Sequence, residues 1–134
     1  MEYANHLNEY APAPTAEDVA ATVATLRQRA TANHNAEVYK FCLSAIDLTT
    51  LSCCDSQESV EAMSRRAAQF EMDFPHLQSV ASICVYPPFV ETVGLNIDGT
   101  PLRITSVAGG FPSSQTFLEV KMLEVAMAIE NGAD

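Results

Sequence analysis

Two short apolar runs limit what this chain can fold into. The first reads Ala45-Ile46-Asp47-Leu48-Thr49-Thr50-Leu51 and the second Val80-Ala81-Ser82-Ile83-Cys84-Val85-Tyr86-Pro87. Each has the length and composition of a buried strand, carries a small polar group near its C-terminal end and runs into a loop. Helical signals fill the interval between them. Asp55 opens a helix with Glu58 as a capping-box partner, and Val60, Met63, Ala67 and Phe70 follow as its apolar stripe. A strand, a helix and a second strand in that order predict a parallel pair joined by a right-handed crossover.

The same alternation continues on both sides. Residues 1–14, with Pro12 and Pro14, lack periodicity and read as an arm. Thr15 is a good N-cap, and Val19, Val23, Leu26 and Ala30 recur at helical spacing after it. Glu37 to Phe41 reads as a helical turn leading into a first strand over 43–48. The second strand spans 79–86, is broken by Pro87-Pro88, and is followed by a short helix over 89–95. Asp98-Gly99 signals a turn, and 102–108 reads as a third strand. Gly109-Gly110-Phe111-Pro112-Ser113-Ser114 is a tight loop whose serines are placed to cap a last helix. Phe117, Val120, Leu123 and Met127 line one side of that helix, and Gly132 stands as its C-cap. The expected organisation is an arm and helix over 1–34, then three βα units over 35–134.

Composition narrows the partners. With 134 residues the chain suits one domain. A net charge of −10 and only seven Lys and Arg leave no basic stripe for nucleic acid or an anionic membrane surface. No run approaches the roughly 20 apolar residues of a membrane span, and the N-terminal residues do not form a secretory signal, so the cytoplasm is the expected compartment. Cys42, Cys53, Cys54 and Cys84 show no C-x-x-C spacing, and His6, His34 and His76 stand apart from them, so neither a metal site nor a cofactor is expected. Reduced thiols are the simpler reading, with Cys53-Cys54 an oxidation-prone pair as the sharper one.

Alternation within the strands places Ala81, Ile83 and Val85 on one face, and Val80, Ser82, Cys84 and Tyr86 on the other. In the first strand Ser44, Ile46 and Leu48 oppose Leu43, Ala45 and Asp47. One face is thus apolar enough to meet helices, while the other carries Asp47, Ser82 and Cys84. A doubly wound sheet ordinarily wants both faces apolar; the interior of a barrel with a site at its mouth accounts for the asymmetry.

At these two runs, at Val107-Ala108-Gly109-Gly110-Phe111-Pro112 and at Glu124 through Gly132-Ala133-Asp134, the chain resembles the deoxyribose-phosphate aldolases, class I aldolases with a TIM-barrel fold. The resemblance covers 35–134, with the N-terminal helix as an extension. It implies an α/β fold that is a partial (β/α)8 barrel of about three parallel βα units, since a whole barrel takes about 250 residues. It also implies cleavage of 2-deoxy-D-ribose 5-phosphate to acetaldehyde and D-glyceraldehyde 3-phosphate through a lysine Schiff base, without metal. The family's Schiff-base lysine, its partner lysine and its phosphate loops lie on later strands. Lys40 and Lys121 match no catalytic position, so the chain reads as the inactive front part of such an enzyme.

By the same resemblance Asp47, Thr49 and Cys84 belong to the substrate-binding mouth. Read from the residues alone, Asp47 and Thr49 are equally loop caps, and Cys84 a small buried hydrophobe. The Gly109-Gly110 loop is either an anion cradle with Ser113 and Ser114 as donors or a tight turn with a cap. Glu119 to Lys121 and Glu124 read as a solvated helix face. The alternative function is a non-catalytic α/β module for assembly or small-molecule binding. Either reading leaves open sheet edges and an uncovered inner face carrying Leu43, Ala45 and Val80. A homodimer or larger assembly is therefore expected, the arm and helix over 1–34 covering part of a neighbour.

Overall fold

The computed structural model describes Tyr10 and residues 13–134. Most of the arm expected over 1–14 therefore lies outside the described residues. The chain divides into two compact units, Met1–Val38 and Tyr39–Asp134.

In the first unit, helix α1 (Ala16–Ala30) is held by local terms. Thr15 Oγ1 accepts from the Asp18 amide at 3.1 Å, and the Asp18 carboxylate accepts from the Thr15 amide at 2.9 Å, a reciprocal capping box. The Thr15 hydroxyl, which also donates to the Asp18 carboxylate at 2.7 Å, and then the Thr15 amide hold the Asp18 carboxyl below its usual pKa. Acidic residues sit in the first turn and Arg27 and Arg29 in the last, complementing the helix dipole. The stripe of Val19, Val23 and Leu26 is exposed and no residue of α1 is buried. Periodicity here marks an amphipathic face without a covered one.

Helix α2 (Ala36–Ser44) runs across the boundary between the units and corrects the first strand. Asn35 Oδ1 accepts from the Val38 amide at 3.0 Å, and the helical bonding continues past Ser44, with the Ala45 amide donating to Phe41 O. Leu43 and Ser44 are therefore helical, and β1 is only Asp47–Thr49. Apolar residues at helical spacing ran directly into the strand, and no Gly or Pro separated them. Asp47 accordingly opens β1 instead of closing it.

β2 (Ser82–Val85) and β3 (Arg103–Ser106) are also shorter than expected, and the sheet order is β1-β2-β3, all parallel. Register pairs Asp47 with Ser82 and Ser82 with Arg103 in one row, and Thr49, Cys84 and Thr105 in the next of the same face. Leu48, Ile83 and Ile104 alternate onto the opposite face. That face is covered by α3 (Gln57–Asp73) and by α4 (Val90–Ile97), which follows a 3-10 turn over Pro87–Phe89. Val60 and Ala67 of α3 and Val90, Val93 and Ile97 of α4 close over Ile83, Val85 and Ile104. Gly94 of α4 faces this contact: a Cβ on it would stand 3.4 Å from Ile104 Cδ1, at the edge of ordinary van der Waals contact. Arg65 Nε ties the two helices by donating to Asn96 Oδ1 at 3.0 Å.

Three local expectations change. The N-cap of α3 is Ser56, boxed reciprocally with Ser59; Asp55 and Glu58 do not form the box. Leu43 and Val80 do not face the inner side: with Leu48, Met63, Ala67 and Phe70 they line an open cleft of about 350 Å³ on the α3 side of the sheet. Helix α5 (Leu118–Glu130) begins after Ser113 and Ser114 and has no side-chain cap. The apolar side noted from sequence is uncovered, with Phe117, Val120, Leu123 and Met127 all exposed and Ala128 the helix's sole buried residue. At its end Gly132, with φ +104°, donates to Ile129 O while Ala133 donates to Ala128 O, a Schellman motif.

Candidate functional site

The polar face of the sheet gathers the residues singled out from sequence. Ser82, buried in the middle strand, donates its hydroxyl to Asp47 Oδ1 across the β1–β2 register at 2.5 Å. Thr49 donates its own hydroxyl to the Asp47 carbonyl at 3.0 Å. Cys84 is buried beside them. Burial, followed by the nearby Asp47 charge, pushes its thiol pKa up, against an opposing hydrogen bond with Thr49. The row therefore presents an exposed carboxylate held by a buried hydroxyl, next to a thiol kept protonated. Arg103 and Thr105 occupy the third strand of the same face. Their alternation with Ile104 was the available signal, but no strand face was assigned there.

Two loops frame the C-terminal ends of the strands. After β1, the Asp55 carboxylate accepts from the Thr50 hydroxyl at 2.8 and 2.9 Å and from the Ser52 amide at 2.9 Å. After β3, the Gly110 amide donates to Glu124 Oε2 at 2.9 Å, and Gly109 and Gly110 have φ of +73° and +77°. Glu124 is thus half-buried and structural, not part of a solvated helix face, and a carboxylate of the chain itself takes the Gly110 amide that an anion cradle would offer. Tyr86 and Phe111 approach between the second and third loops, with ring centroids 6.3 Å apart.

The two lysines belong to helices and not to the strands of this face. Lys40 lies on α2 and Lys121, half-buried, on α5. Among the described residues no group of three or more His, Cys, Asp or Glu is arranged to hold a metal ion, and no helix is long and apolar enough to cross a membrane.

A three-stranded parallel βα sheet with helices on one face and an acid, a hydroxyl and a thiol on the other is a sector of a (β/α)8 barrel. No family model matches the chain. It is 34% identical over 119 residues to a Caenorhabditis elegans protein assigned as a deoxyribose-phosphate aldolase, covering 87% of this chain and 39% of the relative. It is also 34% identical over 99 residues to the Mus musculus deoxyribose-phosphate aldolase, covering 66% and 31%. Among solved structures, the tetrameric deoxyribose phosphate aldolase of Aeropyrum pernix superposes with a TM-score of 0.62 at 25% identity, over 90% of this chain and 44% of that one. Sequence and fold together relate this chain to the deoxyribose-phosphate aldolases. It spans between about a third and under half of the length of these relatives.

Proposed function

We propose that this chain supplies the first part of a retro-aldol site acting on 2-deoxy-D-ribose 5-phosphate, yielding acetaldehyde and D-glyceraldehyde 3-phosphate. The reading rests on one observation: in a relative of the deoxyribose-phosphate aldolases, Asp47, Ser82, Thr49 and Cys84 share the polar face of a parallel sheet. Asp47 would take a substrate hydroxyl as a charged acceptor. Thr49 and Cys84 would line the site, with Cys84 neutral and outside the chemistry. The Schiff base needs an amine of depressed pKa facing the substrate. Lys40 and Lys121 stand on helices, so the amine would come from elsewhere and the chain alone would be inactive. This reading also carries the division into an N-terminal extension over 1–34 and barrel units over 35–134, and a cytoplasmic setting.

The test has two arms. Titration of the chain with 2-deoxyribose 5-phosphate should shift the amide resonances of Asp47, Thr49, Ser82 and Cys84; perturbation confined to other segments would remove these residues from the site. Borohydride reduction with acetaldehyde should leave the chain unmodified. A specific adduct on Lys40 or Lys121 accompanied by turnover would refute the assignment of the amine to another segment.

Self-association belongs to the same proposal. Helix α5 leaves Leu118, Val120, Met122, Leu123, Val125, Met127 and Ile129 exposed, more than a solvated helix carries. A second copy of the chain is the proposed cover, and one structural relative is tetrameric. Sedimentation at low micromolar concentration should report a dimer or larger; a folded, cooperative monomer would defeat this part and leave the alternative of a binding module without assembly.

A further inference from the structure

We propose that Cys53 and Cys54 form a vicinal dithiol site that captures a single thiophilic trivalent centre of the arsenic(III) class. The two residues are the central pair of a turn closed by the Asp55 amide donating to Ser52 O at 3.2 Å. The Cys54 amide donates to Ser52 Oγ at 3.2 Å, and the Asp55 carboxylate accepts from the Thr50 hydroxyl and the Ser52 amide, both at 2.9 Å. The turn is thereby fixed at both ends, and it holds both thiols exposed with their sulfurs 3.9 Å apart.

A direct disulfide is the poorer use of this pair. Adjacent Cα atoms are about 3.8 Å apart across a trans peptide, below the range of about 4.4–6.8 Å that disulfides adopt. Closing the sulfurs to bonding distance would also distort the turn that Asp55 holds. A bridging atom removes the conflict, because two bonds to one centre span sulfurs that need not touch. An arylarsenic(III) oxide supplies such a centre without any change of oxidation state. Two As–S bonds form, the arsenic–oxygen bond is lost, and both thiol protons leave with that oxygen as one water. The remaining cysteines offer no competing chelate: Cys42 is exposed on α2, and Cys84 is buried in the sheet. Since the turn follows β1 directly, an occupied pair stands at the same end of the sheet as Tyr86 and the Gly109–Gly110 loop.

The reduced 134-residue chain is treated with one equivalent of phenylarsine oxide, then with excess monothiol, and its intact mass is measured. One arsenical per chain should survive the monothiol and be released by dithiothreitol, because a chelate resists displacement by single thiols. Cys53→Ser and Cys54→Ser should each lose the resistant adduct, and Cys42→Ser should keep it, with circular dichroism showing all three folded. A resistant adduct in Cys53→Ser or Cys54→Ser, or none in the unaltered chain, would overturn the proposal. Thr50→Val, which removes a donor to Asp55, should slow capture; an unchanged rate would show that the turn does not preset the pair.

Discussion

Removing Asp47 should damage the fold more than removing the serine bonded to it. Ser82 is 8% exposed and gives its hydroxyl to Asp47 Oδ1 at 2.5 Å, whereas Asp47 is an exposed residue. Asp47→Ala leaves a buried hydroxyl without its acceptor, a loss of about 1–3 kcal/mol. Ser82→Ala leaves a carboxylate that water can reach, so only the net value of the bond is lost, about 1 kcal/mol. The double variant has neither the bond nor the orphaned hydroxyl, and its loss should fall close to that of Ser82→Ala. Urea unfolding followed by circular dichroism measures all four chains, and a common m-value is the condition for comparing them. Against a total stability of about 5–15 kcal/mol the differences are resolvable. The reasoning fails if Ser82→Ala is the more damaging, or if the double variant equals the sum of the singles to within about 0.5 kcal/mol.

Three further outcomes follow from named atoms. Gly132→Ala should lose about 1–2 kcal/mol although nothing lies within 4 Å of the added Cβ, because φ is +104° there; the same urea series measures it. Cys84 should titrate above an ordinary cysteine, and Asp47→Asn should bring it part of the way back, as followed by its carbon resonance against pH. The linked stability is fully present below the unfolded thiol's pKa of about 8.5. It is lost as pH rises through the higher folded value. In a polypeptide that completes the barrel, Asp47→Asn should lower turnover roughly 10- to 150-fold while folding is retained, the loss of a charge-assisted hydrogen bond of about 1.5–3 kcal/mol. Unchanged kinetic constants would make Asp47 a structural residue.

Which features could be read from sequence depended on the range of the force behind them. The parallel order was legible because helical signals separate the strands, and the polar face because Ile83 and Val85 alternate with Ser82 and Cys84, a period of two that fixes faces wherever the strand begins. The strand limits were not. Phe41-Cys42-Leu43 is as apolar as the strand after it, and the Asn35 side chain, which starts the helix, gives no sign of where that helix stops. At the start of α3 two adjacent residues, Asp55 and Ser56, are both capable caps. The choice turned on Thr50, whose hydroxyl claims Asp55 and leaves Ser56 to the helix. Glu124 was beyond local reading, since its partner Gly110 lies on a different segment. The apolar pattern of α5 was plain, yet periodicity identifies a face that wants cover and says nothing of whether this chain supplies it.

The hydrogen bonds of the sheet bear on where a second copy would attach. A parallel sheet with bare edges invites strand addition at both. Here the β3 edge is met at Ile104, whose amide donates to the Asp134 carboxylate at 2.8 Å and whose carbonyl accepts from the Asp134 amide at 2.9 Å. On β1, the Asp47 carbonyl already accepts the Thr49 hydroxyl. The polar face is similarly satisfied from within: among the described residues no buried side-chain nitrogen or oxygen lacks a partner. Adding a strand at the β3 edge must therefore displace the Asp134 bonds, the β1 edge offers a carbonyl already partly engaged, and covering the polar face would strip water from the exposed Asp47 carboxylate. Helix α5 carries a smaller penalty, because apart from Glu119 and Glu130 its exposed side chains are apolar and gain about 25 cal/mol for each Å² taken from water. The balance favours α5 over the sheet edges and the inner face as the surface for self-association, and it leaves the row from Asp47 through Ser82 to Cys84 open to a ligand.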